Sequence, residues 1–223
     1  MHNFTAIVLA AGKGERMNSG QPKVLEDLMG RPLIYYVLKE LCKVKKYVKQ
    51  IVVVTGYGAG AVKKEVGNYF SRIEFVKQPK LNGTAKAVQV ALRRVKQENV
   101  LIVCGDAPLV TAATLEKLIS FYFKKKNSGA FLTAVVKREN SLGAVVYDPQ
   151  GNPKKIIEKI ELGSAAAIFQ EANSGIYCFK RKTLQKNLAR IKKNQKKKEY
   201  FLTDIVNILY QQGEPLSLSL IHI

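Results

Sequence analysis

The chain has 223 residues, of which 47% are apolar and 24% charged, a composition typical of a globular protein rather than a disordered one. No apolar run approaches the roughly 20 residues that span a bilayer, and no signal peptide opens the chain, so we expect a cytoplasmic protein without a membrane partner. The net charge of +20 leaves two interpretations open, a nucleic-acid binder or a lysine-rich surface on an enzyme with polyanionic substrates.

The histidines and cysteines exclude several chemistries. The two histidines, His2 and His222, lie at the chain ends, which excludes an interior Ser-His or Cys-His pair and argues against a zinc cluster. Cys42, Cys104 and Cys178 are far apart in sequence and lie in apolar runs, which predicts reduced cysteines that serve as small core residues. Catalysis therefore depends on Asp, Glu, Lys, Arg, backbone amides or a hard metal ion.

Apolar runs and helical segments alternate along the first part of the chain. Buried strands are predicted at 5–9, 51–54, 73–76 and 100–103. Helical periodicity follows at 32–44, 61–70, 84–95, with Thr84 as the N-cap, and 115–122. This alternation predicts a parallel sheet with helices on both faces.

The pattern changes after Gly129. Strand-like runs at 131–136, 143–147, 156–160 and 175–179 predict an antiparallel extension, followed by a helix at 203–210 and a strand at 216–223. The basic stretch 190–198 has no aromatic residue and joins two helical segments, so we interpret it as a solvated loop and expect no nucleic-acid partner. Neither repeats nor a linker divides the chain, and we expect one domain over 1–223. The sequence leaves the oligomeric state open.

A glycine-rich stretch follows the first predicted strand. Gly12 and Gly14 allow backbone N–H groups to converge on an anion, and Arg16 and Lys23 supply positive charge. The stretch is neither a Walker A loop nor a dinucleotide fingerprint, because no Gly-Lys-Ser/Thr closes it and the third glycine position is Met17. A simple turn is the alternative, but the basic residues favour a phosphate cradle.

Two more polar stretches follow strands of the predicted sheet. Gly83 and Thr84 enter a helix, whose N-terminus offers free N–H donors, although a routine cap would look the same. Asp106 follows the fourth strand and could hold a hard cation, with a turn residue as the alternative. Because ligands of open α/β sheets bind beyond the carboxyl ends of the strands, we expect all three stretches on one rim.

Six segments in order resemble the nucleotide-sugar pyrophosphorylase family, and most of all the uridylyltransferase domain of the bifunctional enzyme that makes UDP-N-acetylglucosamine. They are 12–17 with 22–23, 82–85, 105–109, 156–159, 171–176 and 199–204. The resemblance implies a Rossmann-like, doubly wound, mainly parallel sheet with a small antiparallel extension. It also implies UTP and N-acetylglucosamine-1-phosphate as substrates and Mg²⁺ as cofactor.

The resemblance also assigns roles by position. The catalytic positions are Lys23, Arg16 and Asp106, with Asp106 as the Mg²⁺ ligand. The nucleotide-binding positions are Ala11, Gly12, Gly14, Gln78, Gly83 and Thr84, and the sugar-binding positions are Gly143, Glu158 and Asn173. A sugar phosphate is already a nucleophile at neutral pH, so the reaction needs placement and charge cancellation rather than a general base.

Some positions depart from the family pattern. Glu15 replaces a threonine, Leu81 a glutamine near the base, and Cys104 a tyrosine. The family's second Mg²⁺ ligand and its β-helix acyltransferase domain would follow Ile223, so we expect no acetyl transfer and slow turnover with one metal anchor. The alternatives are a related transferase using glucose-1-phosphate with UTP or dTTP, an inactive nucleotide-sugar-binding regulatory subunit and, on charge alone, a nucleic-acid-binding protein.

Overall fold

A nine-stranded mixed sheet forms the centre of the protein. The computed structural model describes residues 3–14, 20–136, 142–162, 171–214 and 216–221. The strands of the sheet are β1 (Phe4–Ala10), β4 (Val48–Thr55), β5 (Glu74–Lys77), β6 (Asn99–Cys104), β7 (Gly129–Val135), β8 (Ala144–Tyr147), β9 (Pro153–Ile157), β10 (Glu171–Lys180) and β11 (Ser217–Ile221). A separate two-stranded hairpin consists of β2 (Asp27–Leu28) and β3 (Arg31–Pro32).

The first part of the sheet is parallel, as the continuous apolar runs predict. β1 lies between β4 and β6, with Val8 opposite Val53 on one side and Val103 on the other, and β5 extends the sheet beyond β4. Strands that are buried on both faces have no polar alternation, because neither face contacts water. The predicted strand positions of this half are confirmed.

Helices cover both faces of the sheet. They are α1 (Leu33–Lys43), α2 (Ala59–Gly67), α3 (Thr84–Ala91), α4 (Ala112–Lys125), α5 (Lys159–Leu162), α6 (Arg181–Asn187) and α7 (Asp204–Gln211). Apolar residues of α1, α2 and α4 form one core cluster, while those of α3, α6 and α7 form the other. The predicted doubly wound arrangement is therefore confirmed.

The antiparallel extension is also confirmed. β10 runs antiparallel between β6 and β7, and β8 and β9 form a hairpin that meets β10 where Ala144 lies opposite Ala172. The last strand, β11, pairs parallel to β7 at one end of the sheet. The predicted strand at 156–160 is wrong at its end, because β9 ends at Ile157 and α5 begins at Lys159.

Predictions for the bounds of α3 and for the cysteines are also wrong in part. Gly83, not Thr84, occupies the N-cap of α3, and the helix ends at Ala91. Cys42 is exposed although Leu41 beside it is fully buried, because adjacent residues on a helix point about 100° apart. The prediction of a core cysteine holds for Cys178, which is buried, whereas Cys104 is only half-buried.

One rim of the sheet contains the carboxyl ends of the parallel strands and the amino end of β10. The carboxyl ends of the parallel strands β1, β4, β5 and β6 lie at this rim, and the first residues of β10 arrive there because β10 runs the other way. The basic stretch 190–198 is mostly exposed and largely irregular, as predicted. In the described part of the chain, the helices are too short or too polar to cross a bilayer.

Candidate functional site

The loops that follow β1, β4 and β6 contact one another at the rim. Gly105 donates its backbone N–H to Leu9 O at 2.9 Å, and Tyr57 donates to Ala11 O at 3.0 Å. Ala11 is buried under these contacts, while Gly12 is exposed and has no atom within 4 Å of the point where a Cβ would lie. The predicted convergence of the first and third polar stretches is confirmed.

An ion pair between Lys23 and Asp106 occupies the middle of this rim. Lys23 begins a short 3₁₀ turn, Lys23–Leu25, whose Val24 is buried, and its Nζ lies 2.5 Å from Asp106 Oδ2. The two side chains are 36% and 29% exposed, so both remain open to a ligand. Residues 83 positions apart in sequence are thus brought together as a cation and an anion on one open face.

Gly14 places the glycine loop directly against Lys23. Its backbone has a φ of +76°, and a Cβ at this position would lie 2.5 Å from Lys23 Cβ. A side chain would therefore meet both a strained backbone and a clash. The glycine is required by close approach to the lysine, as well as by the turn itself. Arg16, the other basic residue predicted in this loop, lies outside the described residues.

The second polar stretch begins with the buried amide side chain of Gln78. Its backbone N–H donates to Thr55 O at 2.8 Å, just beyond the ends of β4 and β5. Its Nε2 donates to Gly83 O at 3.2 Å and to Asn82 Oδ1 at 3.3 Å. Both side-chain N–H groups are thus directed into the protein, which leaves the amide oxygen as the acceptor available to a ligand.

Gly83 and Thr84 are held by a distant segment of the chain. Gly83 has a φ of +109°, and a Cβ there would lie 2.3 Å from Tyr200 O. Ala85 donates to Tyr200 O, Tyr200 donates to Asn82 O, and Leu202 donates to Thr84 Oγ1 at 2.9 Å. The hydroxyl of Thr84 therefore accepts from the backbone of Leu202 rather than capping its own helix.

The three predicted sugar-binding residues lie together beside the start of β10. Asn173 N donates to Gly143 O at 2.8 Å, and a Cβ on Gly143 would lie 3.8 Å from Glu158 Cδ. Asn173 is buried, and its Nδ2 donates to the hydroxyl of Tyr177 at 2.7 Å. The structure thus brings Gly143, Glu158 and Asn173 into one cluster of polar groups.

Burial and neighbouring carboxylates shape the electrostatics of this cluster. Burial raises the pKa of Glu158, with further increases from Glu161 and Glu199, while a hydrogen bond from Thr203 acts in the opposite direction. Burial likewise raises the pKa of Asp204 to about 6, with contributions from Glu161 and Glu158. This side of the rim therefore carries concentrated negative charge on a chain whose net charge is +20.

Cys104 lies between the two groups of residues. Its Sγ is 3.8 Å from Gly175 O, on the strand that carries Asn173. The pKa of its thiol is raised to about 12, mainly by burial and also by Asp106 and Glu158, while Lys23 acts in the opposite direction. The thiol is therefore neutral at physiological pH, and its recorded hydrogen-bond contact is with the backbone of β10.

Among the described residues, Asp106 is the carboxylate beside the glycine loop that could bind a divalent cation. Within the described residues, no three His, Cys, Asp or Glu side chains are grouped to hold a metal. Mg²⁺ commonly binds through one or two carboxylates with substrate phosphates and water completing the shell. The accessible carboxylate of Asp106, beside a loop suited to phosphate, fits that mode. His222 lies outside the described residues.

Sequence reasoning assigned no role to two residues that hold the site together, Tyr200 and Thr203. Tyr200 supports the loop at Gly83, and Thr203 Oγ1 donates to Glu158 Oε1 at 2.6 Å. In the sequence, only the family resemblance singles out the segment 199–204. A threonine directly before a helix usually indicates a cap, which is why its bond to a residue 45 positions away has no local signal.

Comparison with known proteins places the chain among nucleotidyl transferases by sequence. The nucleotidyl transferase family matches residues 5–220. The bifunctional protein GlmU of Heliobacterium modesticaldum is 38% identical over 215 residues, and that of a Geobacillus species is 34% identical over 214 residues. The matches cover 96% and 95% of this chain, respectively, but 46% of each relative, so the chain spans about half the length of these proteins.

Solved structures with the same fold are more distant in sequence. A UDP-glucose pyrophosphorylase complexed with UDP-glucose superposes with a TM-score of 0.77 at 17% identity, over 94% of this chain and 88% of that one. The inositol-1-phosphate CTP transferase of T. maritima gives a TM-score of 0.74 at 19% identity, over 100% and 87%. At these identities the likeness concerns the fold, and it agrees with the Rossmann-like arrangement.

Proposed function

Since the chain belongs to the nucleotidyl transferase family, we propose that it transfers a uridylyl group from UTP to N-acetylglucosamine-1-phosphate. The products are UDP-N-acetylglucosamine and pyrophosphate. The observation that carries the proposal is the Lys23–Asp106 pair on an open rim, with Gly14 packed against Lys23 and a cluster of sugar-compatible polar groups at the start of β10. The six motifs that resemble the uridylyltransferases support the choice of substrates.

The reaction is a direct displacement at phosphorus. A phosphate oxygen of the sugar phosphate forms a bond to the α-phosphorus of UTP, and the bond from that phosphorus to the pyrophosphate oxygen breaks. No proton has to be removed from the nucleophile, which agrees with a rim built without histidine in its described part. The protein's task is to orient the two substrates and to offset negative charge.

The nucleotide side supplies backbone groups and one cation. The loop at Gly12 and Gly14 would direct N–H groups at the phosphates, and Lys23 would offset charge on the α-phosphoryl and leaving groups. Asp106 would hold Mg²⁺, which when bound would offset negative charge on the phosphoryl oxygens. The Gln78 amide oxygen would accept the N3–H of uracil, a donor that cytosine lacks.

The sugar side supplies fixed polar groups. Glu158 would accept hydrogen bonds from sugar hydroxyls, and Asn173, held by Tyr177 and the backbone, would contact the N-acetyl group. Both side chains are already bonded to the protein, so little rotamer entropy is lost when a sugar binds. The intact Lys23–Asp106 pair argues against an inactive regulatory subunit.

The test is a substrate matrix read by pyrophosphate release in Mg²⁺. UTP, dTTP and CTP are each combined with N-acetylglucosamine-1-phosphate and glucose-1-phosphate, with the Asp106→Asn variant as the blank for contaminating enzymes. We expect the highest kcat/KM for UTP with N-acetylglucosamine-1-phosphate. Preference for another pair would overturn the substrate assignment, and nucleotide binding without pyrophosphate release in any pair would overturn the enzymatic role.

The reactions with dTTP test how the base is recognised near Leu81. Leu81 is 47% exposed and contacts the loop near Gly56 and Ala11, close to Gln78. An apolar side chain here cannot form a hydrogen bond to the base, so Gln78 would distinguish uracil from cytosine, whereas uracil and thymine share the N3–H and differ by the 5-methyl group. Equal kcat/KM for dTTP and UTP would therefore favour the related transferase that uses glucose-1-phosphate with either nucleotide.

A further inference from the structure

The segment 199–204 runs between two sides of the rim. The nucleotide side contains the loop before α3, and the sugar side contains Glu158. The backbone of this segment pairs with the loop before α3, since Tyr200 donates to Asn82 O at 2.8 Å and accepts from Ala85 N at 3.0 Å. Leu202 then donates to Thr84 Oγ1 at 2.9 Å. These bonds fix the backbone on the nucleotide side immediately before the chain reaches Thr203.

Thr203 directs its hydroxyl to the sugar side. It occupies the N-cap position of α7 but makes no side-chain cap bond, and its backbone is helical, with φ −56° and ψ −28°. The Oγ1 instead donates to Glu158 Oε1 at 2.6 Å, and the residue is only 6% exposed. The hydroxyl therefore bonds a carboxylate 45 residues away instead of capping its own helix.

We infer that Thr203 is a positioning residue that fixes the Glu158 carboxylate for the sugar phosphate, held in place by the bonds of its own segment to the loop at Thr84. The inference rests on the proposed function for the identity of the group that Glu158 receives. Thr203 itself need not touch the substrate. Its effect is exerted through the orientation and the charge state of Glu158.

The charges around Glu158 make this hydrogen bond consequential. Burial raises the pKa of Glu158, and the carboxylates of Glu161 on α5 and Glu199 raise it further. The Asp204 carboxylate on α7 is a third anionic neighbour, and the Cys104 thiol and the Tyr177 phenol are neutral groups within electrostatic range. The Thr203 hydroxyl is the group that favours the ionised form, so its removal should favour protonation.

The first test measures the titration of Glu158 without any substrate. Thr203→Val keeps the side-chain shape and removes the hydroxyl, while Thr203→Ser keeps the hydroxyl. The ¹³C carboxyl resonance of Glu158, assigned by its loss in Glu158→Gln, is followed against pH in each protein. We expect the midpoint of Thr203→Val to lie at higher pH than that of the wild type, and that of Thr203→Ser to return toward it.

The second test separates sugar binding from nucleotide binding. We expect Thr203→Val to raise KM for the sugar phosphate about 10-fold, the loss typical of a hydrogen bond to a charged group, with a much smaller change in KM for UTP. The increase should be larger at low pH, where more Glu158 is protonated. Thr203→Ser should remain within about 3-fold of the wild type, and equal melting temperatures would exclude a general loss of fold.

The outcomes distinguish this inference from the proposed function. A wild-type Glu158 midpoint and an unchanged sugar-phosphate KM in Thr203→Val would overturn the role of Thr203 while nucleotidyl transfer stands. A shifted midpoint in a protein that releases no pyrophosphate would overturn the proposed function and keep Thr203 as the group that holds Glu158. If Thr203→Val fails to fold, Thr203→Ala against Thr203→Ser gives the same comparison.

Discussion

The two sides of the rim are built in different ways. On the nucleotide side, where the phosphates are proposed to bind, the described residues include a glycine loop and one solvent-accessible ion pair, at the ends of parallel strands. On the sugar side, buried amides and carboxylates from the antiparallel extension bond to one another, as Asn173 does with Tyr177 and Glu158 with Thr203. The first side presents charge that remains free to change partners, and the second presents groups that are already fixed.

The ligands proposed for the two sides account for this difference. Phosphates are strongly charged and need charge and N–H donors more than fine shape, so a flexible lysine and open glycines suffice. A sugar has several similar hydroxyls and is distinguished by fixed hydrogen-bond partners, because a mismatched buried polar group is costly. Substitutions on the two sides should therefore affect kcat and KM differently.

The largest expected effect is that of Asp106→Asn. The variant keeps the shape of the side chain and loses its negative charge, so kcat should fall by about 10²- to 10³-fold if Asp106 holds the metal. KM for the sugar phosphate should change far less. Asp27→Asn is the matched control, since Asp27 is exposed in the hairpin turn and asparagine can still accept from Gly30 N. More than about a tenth of wild-type kcat at saturating Mg²⁺ would contradict the metal assignment.

Lys23→Ala should have the second-largest effect on activity. The lysine would act on charge that develops as the α-phosphorus is attacked, so kcat should fall by about 10²-fold with a smaller change in KM for the sugar phosphate. Steady-state kinetics in both substrates separates the two effects. Lys46→Ala removes an ion-paired lysine away from the rim, 3.0 Å from Glu116, and should leave both constants near wild type. An effect on KM alone would reassign Lys23 to ground-state binding.

Gly83→Ala tests the close contact between the loop before α3 and the backbone of Tyr200. A Cβ would lie 2.3 Å from Tyr200 O at a φ of +109°, so the variant should lose at least about 1–3 kcal/mol of stability and bind UTP more weakly. Thermal melting and UTP titration measure these changes. Gly60→Ala, on α2 with no atom within 4 Å of its Cβ position, should melt at or slightly above the wild-type temperature. Equal melting of the two variants would show that the Tyr200 contact imposes no constraint.

The smallest expected effect concerns the anionic charge on the sugar side. Burial raises the pKa of Asp204 from its ordinary value of 3.8 to about 6, so the folded protein binds more protons than the unfolded chain between these values. Stability from this group is present below about pH 4 and is lost as the pH rises to 6. Asp204→Asn should therefore melt with the wild type at pH 4 and a few degrees above it at pH 7. A difference in melting temperature between the two proteins that does not grow with pH would contradict the raised pKa of Asp204.

Much of the fold could be predicted from local patterns. The strands at 51–54 and 100–103 are short β-branched runs buried on both faces, and that composition alone indicates a central parallel sheet. The prediction of a core cysteine at position 42 was wrong because it rested on the apolar Leu41 beside it. Only the helical period, which buries Leu38 and Leu41 and turns residue 42 outward, decides that position.

The site was harder to predict than the fold because its contacts are long-range. Lys23 and Asp106 could be expected near one another, since they follow adjacent strands of one rim. The bonds from Leu202 to Thr84 and from Thr203 to Glu158 join residues 118 and 45 positions apart, and each displaces the cap that the local sequence favours. No period or turn pattern encodes such a choice; it is decided by which segments the finished sheet brings together.

The position of β10 has a consequence for how such a protein can change over evolution. Between β7 and β10, which are neighbours in the sheet, the chain forms β8 and β9 at the margin of the sheet. A single register pair joins β8 to β10. The registers of β1 with β4 and β6 involve none of these residues. If the acceptor binds beside β10 as proposed, the segment from β7 to β10 can change in length and sequence to accept another acceptor while the registers of β1 with β4 and β6 are kept.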